Sequence, residues 1–141
     1  MDNRQYILIT GASSGIGQDI AIKLSGYYNI ILNGRNIDSL SVVQEKCANK
    51  EIHLKWVYDL NNIEGLEESL LGFIKETRVD ISAFVHCAGY LKMLPLRSIN
   101  LMHLKETMNV NFNAPALLIK SLTSKKINNK IYRKLFAVIE T

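Results

Sequence analysis

Residues 10 to 17 read Thr10-Gly11-Ala12-Ser13-Ser14-Gly15-Ile16-Gly17, between the apolar run Tyr6-Ile7-Leu8-Ile9 and a stretch of helical periodicity. The order predicted is strand, glycine turn, helix, with Ile16, Ile20, Ala21 and Leu24 on one helical face. A helix starting at about Gly15 leaves its first N–H groups without intrahelical acceptors and presents the positive end of its dipole, so an anion is held there without a basic side chain. Gly11 permits the sharp exit from the strand, Gly15 lets the backbone come close to a ligand, and Gly17 lets the helix pack on the sheet. Ser13 and Ser14 add hydroxyl donors. A pyrophosphate fits such a seat; plain chain reversal is the other use of a glycine-rich turn, and the place between strand and helix favours the phosphate.

Working outward, residues 29–33 read as a second strand, and Asn36 suits the cap of a helix whose Leu40, Val43 and Cys47 share a face. Ile52 to Tyr58 predict a third strand, followed by the turn Asp59-Leu60-Asn61-Asn62 and a helix with Leu66, Leu70, Phe73 and Ile74 at helical spacing. Val79 to Val85 form a fourth strand. From Asn100 a long amphipathic stretch runs to about Lys126, interrupted by Pro115, and Leu135 to Ile139 suggest a fifth strand. Strands alternating with helices predict an α/β fold, a parallel sheet covered on both faces with right-handed crossovers.

The chain of 141 residues suits a single domain spanning 1–141, and 48% hydrophobic with 21% charged residues is the balance of a globular protein. No apolar run approaches the ~20 residues of a membrane span, and no secretory leader pattern is present, so a cytoplasmic location is expected. Cys47 and Cys87 lie without metal-ligand spacing and read as free thiols. The net charge of +4 is uneven: Lys120, Lys125, Lys126, Lys130, Arg133 and Lys134 cluster with no acid between them. Such a cluster attracts nucleic-acid phosphates or simply solvates a helix end. With Tyr132 alone among the basic residues, base stacking lacks its aromatic partners and the solvated reading is favoured.

The glycines fall as G-x-x-x-G-x-G, and with Thr10 they resemble the nucleotide fingerprint of the short-chain dehydrogenase/reductase family. Asp59-Leu60 resembles the family's acidic residue near the adenine ring, and His86-Cys87-Ala88-Gly89 its Asn-Asn-Ala-Gly turn. Leu94-Pro95-Leu96 follows at a familiar distance, and Asn111 within MNVNFNAPALL matches the family's helix asparagine. The resemblance implies a Rossmann-like doubly wound sheet of order 3-2-1-4-5 and a nicotinamide coenzyme. It places the coenzyme on the turn of Gly11, Ser13, Ser14, Gly15, Ile16 and Gly17, on Asn33 and Arg35, on Asp59 and Leu60, and on the 86–89 turn. It implies hydride transfer with a small carbonyl or alcohol substrate. Histidine and cysteine replace the two usual asparagines, and a neutral imidazole still donates one hydrogen bond. His86 as a catalytic base or metal ligand is the alternative, but no second ligand stands at suitable spacing. His53 and His103 read as surface residues, and Cys87 as a small buried side chain near the coenzyme.

An NAD-preferring fold usually ends its second strand in an acid that binds the ribose 2′-hydroxyl, whereas here the place reads Asn33-Gly34-Arg35. Arg35 offers a planar charged fork for a 2′-phosphate, so NADP(H) is expected over NAD(H); the alternative is an arginine that only lies along a helix start. Pro115 cannot donate to the carbonyl of Asn111, which predicts a kink or bulge there. The resemblance makes that carbonyl the holder of a water in a proton relay and Asn111 a catalytic-site residue; a kink that lets the helix follow the sheet is the other reading.

A family reductase takes its proton from a tyrosine with a lysine four residues on. Here Tyr6, Tyr27, Tyr28, Tyr58, Tyr90 and Tyr132 are followed at that distance by Thr10, Ile31, Leu32, Asn62, Leu94 and Phe136. None is a lysine. The resemblance covers nearly all of the chain but little over half of a usual family domain, so the expected form is truncated: it binds coenzyme and is inactive alone. An unpaired strand edge and uncovered apolar helix faces predict a homo-oligomer. A non-catalytic NAD(P) sensor or interaction module is the alternative function.

Overall fold

A computed structural model describes residues 5–124 and the backbone of residues 135–138. The strands are β1 (Gln5–Thr10), β2 (Asn29–Gly34), β3 (Leu54–Val57), β4 (Asp80–His86) and β5 (Leu135–Val138). They form one parallel sheet in the order β3-β2-β1-β4-β5. Between them run α1 (Gly15–Leu24), α2 (Ile37–Lys46), α3 (Leu66–Thr77), α4 (Leu101–Met108) and α5 (Ala114–Thr123).

The central strands are apolar on both faces because both faces are covered, and their period-two alternation sorts the core into two layers. Tyr6, Leu8, Ile31 and Phe84 pack on one face with Leu66 and Leu70 of α3 and Leu118 and Leu122 of α5. Ile7, Ile9, Ile30 and Leu32 pack on the other with Ala21 of α1 and Leu40 and Val43 of α2. The sheet is thus doubly wound as expected. Strand order reverses between β1 and β4, and in open α/β sheets ligands bind in the crevice beyond the carboxyl ends at such a switch point.

Several local expectations change. Ile16 does not join the buried face of α1; it is 43% exposed over the glycine turn, and Gly17 takes its place against the core. The third strand starts at Leu54, because Lys50–Ile52 form a 3-10 turn. His53, expected on the surface, is only 2% exposed: Nδ1 accepts from the Ile30 amide at 3.1 Å and Nε2 lies 2.7 Å from the Ala48 carbonyl oxygen. A short strand start left backbone groups of the sheet edge to satisfy, and the imidazole does so. His103 is half-buried and caps α4 in a reciprocal box with Asn100.

Lys120 forms an exposed ion pair with Glu67 of α3 at 3.2 Å, while the rest of the basic cluster, residues 125–134, lies outside the described residues. Among the described residues no helix is long and apolar enough to cross a membrane. Cys47 and Cys87 are free.

Candidate functional site

The glycine turn occupies the switch point. Gly11 has φ +62°, and a Cβ there would come 2.6 Å from the Ala88 amide nitrogen, so the turn lies directly on the loop after β4. A Cβ on Gly17 would overlap the Gly11 carbonyl oxygen and approach the Cys87 Cβ at 3.2 Å. Gly17 therefore fits the helix against the turn itself rather than against the sheet at large. Gly15 differs: its φ is +55°, yet nothing lies within 4 Å of where its Cβ would be. Ser14 is the N-cap of α1 with extended backbone, and its side chain makes no capping hydrogen bond. The first amides of α1 have no intrahelical acceptor either. Open space, unsatisfied donors and the positive helix end converge on one spot.

Around that spot the strand ends are cross-tied. Asn33 is buried; its Nδ2 donates to the Trp56 carbonyl at 3.0 Å, and its own carbonyl accepts from the Ala12 amide at 3.0 Å. Asn33 thus fixes the glycine turn to β2 and β3. Asp59 is exposed and accepts from the Asn61 amide at 2.9 Å, while Leu60 is buried in the α3-side core. Arg35 is exposed, and its positive charge acts on the Tyr90 phenol. That phenol is held above its ordinary value, first by its hydrogen bond to Glu106, with burial and the carboxylate charge adding and Arg35 opposing.

The predicted bulge is present. Residues Asn109–Asn113 form a π-turn between α4 and α5, with the Ala114 amide donating to the Asn109 carbonyl. Pro115, in the first turn of α5, has no N–H for the Asn111 carbonyl, which shifts the ladder to the wider spacing. The turn gathers the rim. Asn109 Nδ2 donates to Asn61 Oδ1 at 3.1 Å, and the Asn111 side chain pairs both ways with the Tyr90 backbone at 2.7 and 2.9 Å. The Val110 carbonyl oxygen lies 3.1 Å from His86 Nε2.

His86 is 2% exposed, and its Nδ1 lies 2.8 Å from Thr10 Oγ1, which in turn accepts from the Cys87 and Ala88 amides. Both ring nitrogens are engaged with protein, so neither is open to a metal ion or a substrate. Burial pushes the imidazole below its ordinary value, against the opposing effect of the Val110 carbonyl. Burial also pushes the half-buried Cys87 thiol up.

A profile described as short chain dehydrogenase matches residues 5–130. The chain belongs to the short-chain dehydrogenase family. It is 36% identical over 97 residues to a very-long-chain 3-oxoacyl-CoA reductase of Coccidioides immitis (strain RS), a match covering 64% of this chain and 27% of that protein. Over 109 residues it is 28% identical to a gluconate 5-dehydrogenase of Gluconobacter oxydans (strain 621H), covering 76% and 42%. A metagenomic short-chain oxidoreductase solved in complex with NADP superposes with TM-score 0.72 at 26% identity, covering 83% of this chain and 54% of that one. The chain thus spans less than half the length of these curated relatives.

As a short-chain dehydrogenase, the chain brings the 10–17, 33–35, 59–60 and 86–89 segments and Asn111 to one end of its sheet. Sequence reasoning missed the ties that hold this rim: Asn61, Asn109, Tyr90 and the Val110 carbonyl. The asparagine-rich run Asn109-Val110-Asn111-Phe112-Asn113 was a visible signal, but its partners lie 20 or more positions away and only the fold pairs them.

Proposed function

We propose that this chain is the coenzyme-binding domain of a short-chain oxidoreductase that takes NADP(H) in preference to NAD(H), with a small carbonyl or alcohol as the substrate of the complete enzyme. The observation that carries this is the uncapped start of α1 beside Gly15, where donors and open space meet. The amides of Gly15, Ile16 and Gly17 with the Ser13 and Ser14 hydroxyls would hold the pyrophosphate. Arg35 would pair with a 2′-phosphate, and Asp59 and Leu60 would border the adenine. Ala88 and Gly89 would line the nicotinamide side, with His86 and Cys87 supporting them from behind. When bound, the coenzyme supplies a hydride; the protein's part is to orient it, and the Asn111 carbonyl would hold a water for proton delivery.

None of the tyrosines in these 141 residues is followed by a lysine at four positions, so this chain alone is inactive toward carbonyl compounds. A non-catalytic NAD(P) sensor or interaction module, which needs no tyrosine–lysine pair, shares the seat and is the second reading. Leu101, Leu104, Met108 and Phe112, each more than half exposed, support self-association through α4 and the π-turn. We place the protein in the cytoplasm and assign nucleic acid no part in its function.

Calorimetric titration of the purified chain with NADPH and NADH tests the reading. Uptake of NADPH with tighter affinity than NADH is expected, without NADPH consumption on adding a carbonyl compound. No uptake of either coenzyme breaks it.

A further inference from the structure

His86 stands at the junction of two strand ends and the π-turn. It is the last residue of β4, paired in register with Thr10 at the end of β1, and its ring reaches the π-turn. The hydrogen-bond directions follow from the partners. The Val110 carbonyl only accepts, so Nε2 carries the hydrogen; in a neutral ring Nδ1 then holds a lone pair and accepts from the Thr10 hydroxyl. Thr10 has one hydrogen to give, and with it spent on Nδ1 the oxygen is free to accept from the Cys87 amide at 3.2 Å and the Ala88 amide at 3.4 Å.

We propose that His86 is a positioning residue that locks the 86–89 turn and the π-turn to Thr10 only while its ring is neutral, so that protonation loosens the coenzyme seat. The second half rests on the coenzyme reading above. A proton on Nδ1 turns that atom into a donor. Thr10 Oγ1, fully buried, then faces three N–H donors with two lone pairs, and its own hydrogen has no acceptor there. One of the amide bonds to Oγ1 must open, and since the Cys87 amide also donates to the Thr10 carbonyl at 3.3 Å, the Ala88 amide is the one left without an acceptor. The loosened segment is the one that lies on Gly11, whose Cβ position is within 2.8 Å of the Cys87 and Ala88 backbone, so the change is passed straight to the glycine turn.

Few other ionisable groups complicate this junction. β1, the π-turn and β5 carry no charged residue type, and α5 has only Lys120, which is paired with Glu67. β4 has Asp80 at its opposite end. The titratable groups of the adjoining loop, residues 87–100, are the Cys87 thiol, the Tyr90 phenol with Glu106 of α4 beside it, and the exposed Lys92 and Arg97. The ring of Phe84, centred 6.0 Å away, completes the dry surroundings.

The sign follows from burial, which favours the neutral ring over its ordinary value of 6.5. The lock is complete at that value and above, and is lost as pH falls through the lower value at which the buried ring takes up a proton.

The test compares the whole chain with His86→Asn, which keeps a donor and an acceptor but does not titrate. The NADPH dissociation constant is measured from about pH 8 to about pH 5 on both, because the coenzyme's own 2′-phosphate titrates in this range and its effect is common to the two. Wild type is expected to lose about three- to tenfold more affinity toward acid than His86→Asn. Superimposable profiles overturn the proposal. Nitrogen NMR of the wild-type ring gives an independent reading that needs no variant: hydrogen on Nε2 and a bare Nδ1 at neutral pH are expected, and the opposite tautomer overturns it. Should neither protein take up NADPH at any pH, the coenzyme reading fails, and amide exchange decides the lock. Protection of the Ala88 amide, taken relative to its intrinsic exchange rate at each pH, that falls toward acid in wild type alone upholds it, and equal protection in both proteins refutes it.

Discussion

Helices α1 and α2 both begin at the carboxyl edge of the sheet, each a few residues after a strand, yet their first turns are finished in opposite ways. Asn36 caps α2 by accepting from the Asp38 and Ser39 amides at 2.9 and 3.0 Å. Ser14, equally extended and equally suited in residue type, caps nothing. A helix start satisfied by its own side chain is complete in itself; one whose donors stay open at the switch point leaves them available to the anion proposed above. The glycines sharpen the contrast. Gly11 and Gly17 are boxed in by backbone, whereas Gly15 faces empty space. Close packing therefore explains Gly11 and Gly17, while Gly15 is asked for by its left-handed backbone and leaves open the space where the pyrophosphate is proposed.

The strongest way to break the contrast is Gly17→Ala. The new methyl overlaps the Gly11 carbonyl oxygen and sits 2.7 Å from its carbon, neither of which yields without moving the turn off Ala88. A loss of about 2–3 kcal/mol in urea unfolding is expected. Gly15→Ala, with nothing in the way, pays only for its left-handed backbone, about 1–2 kcal/mol, but fills the space where the pyrophosphate is proposed. It should abolish NADPH binding while folding. Equal stability losses at the two positions would remove the distinction.

Arg35→Ala comes next. Its side chain is exposed, so folding should be nearly untouched. A charge-assisted contact to the 2′-phosphate is worth about 1.5–3 kcal/mol, so NADPH should bind about tenfold to a hundredfold more weakly while NADH changes little. Parallel losses for both coenzymes in the same titration would remove Arg35 from 2′-phosphate recognition.

Asn36→Ala is the reference for an occupied cap and should cost about 1 kcal/mol with no effect on coenzyme affinity. It calibrates the comparison: the unfolding midpoint shifts, the binding isotherm does not.

Local pattern made the fold legible. β1 and β2 read as buried strands because both their faces are apolar, and Asn36 read as a cap because residue type and position agree. Pro115 announced the π-turn through a missing donor, an effect confined to one turn of chain. What escaped was non-local. His53 looked like a strand-edge surface residue because only the fold brings Ile30 and Ala48 to its two nitrogens. His86 could be placed at the rim from its neighbours in sequence, but the direction of its ring depends on Thr10 and Val110, 76 and 24 positions away. Ile16 failed for a different reason: helical periodicity counts it with Ile20, but the tight contact of Gly17 with the turn rotates the first residue of the face outward.

Ser14→Ala is expected to have the smallest effect on stability and is the most discriminating. Removing an N-cap serine ordinarily costs about 1 kcal/mol because an amide loses its acceptor. Here the hydroxyl accepts from no helix amide, so the unfolding midpoint should match wild type within about 0.5 kcal/mol. The hydroxyl is instead free to donate to a phosphate, and a neutral donor of this kind contributes about 0.5–1.5 kcal/mol, a two- to tenfold loss of NADPH affinity. The signature is a binding change without a stability change, the reverse of Asn36→Ala. If Ser14→Ala lowered stability like an ordinary cap and left the isotherm alone, the two helix starts would be alike, and the open donors of α1 would be a feature of the fold rather than of a ligand site.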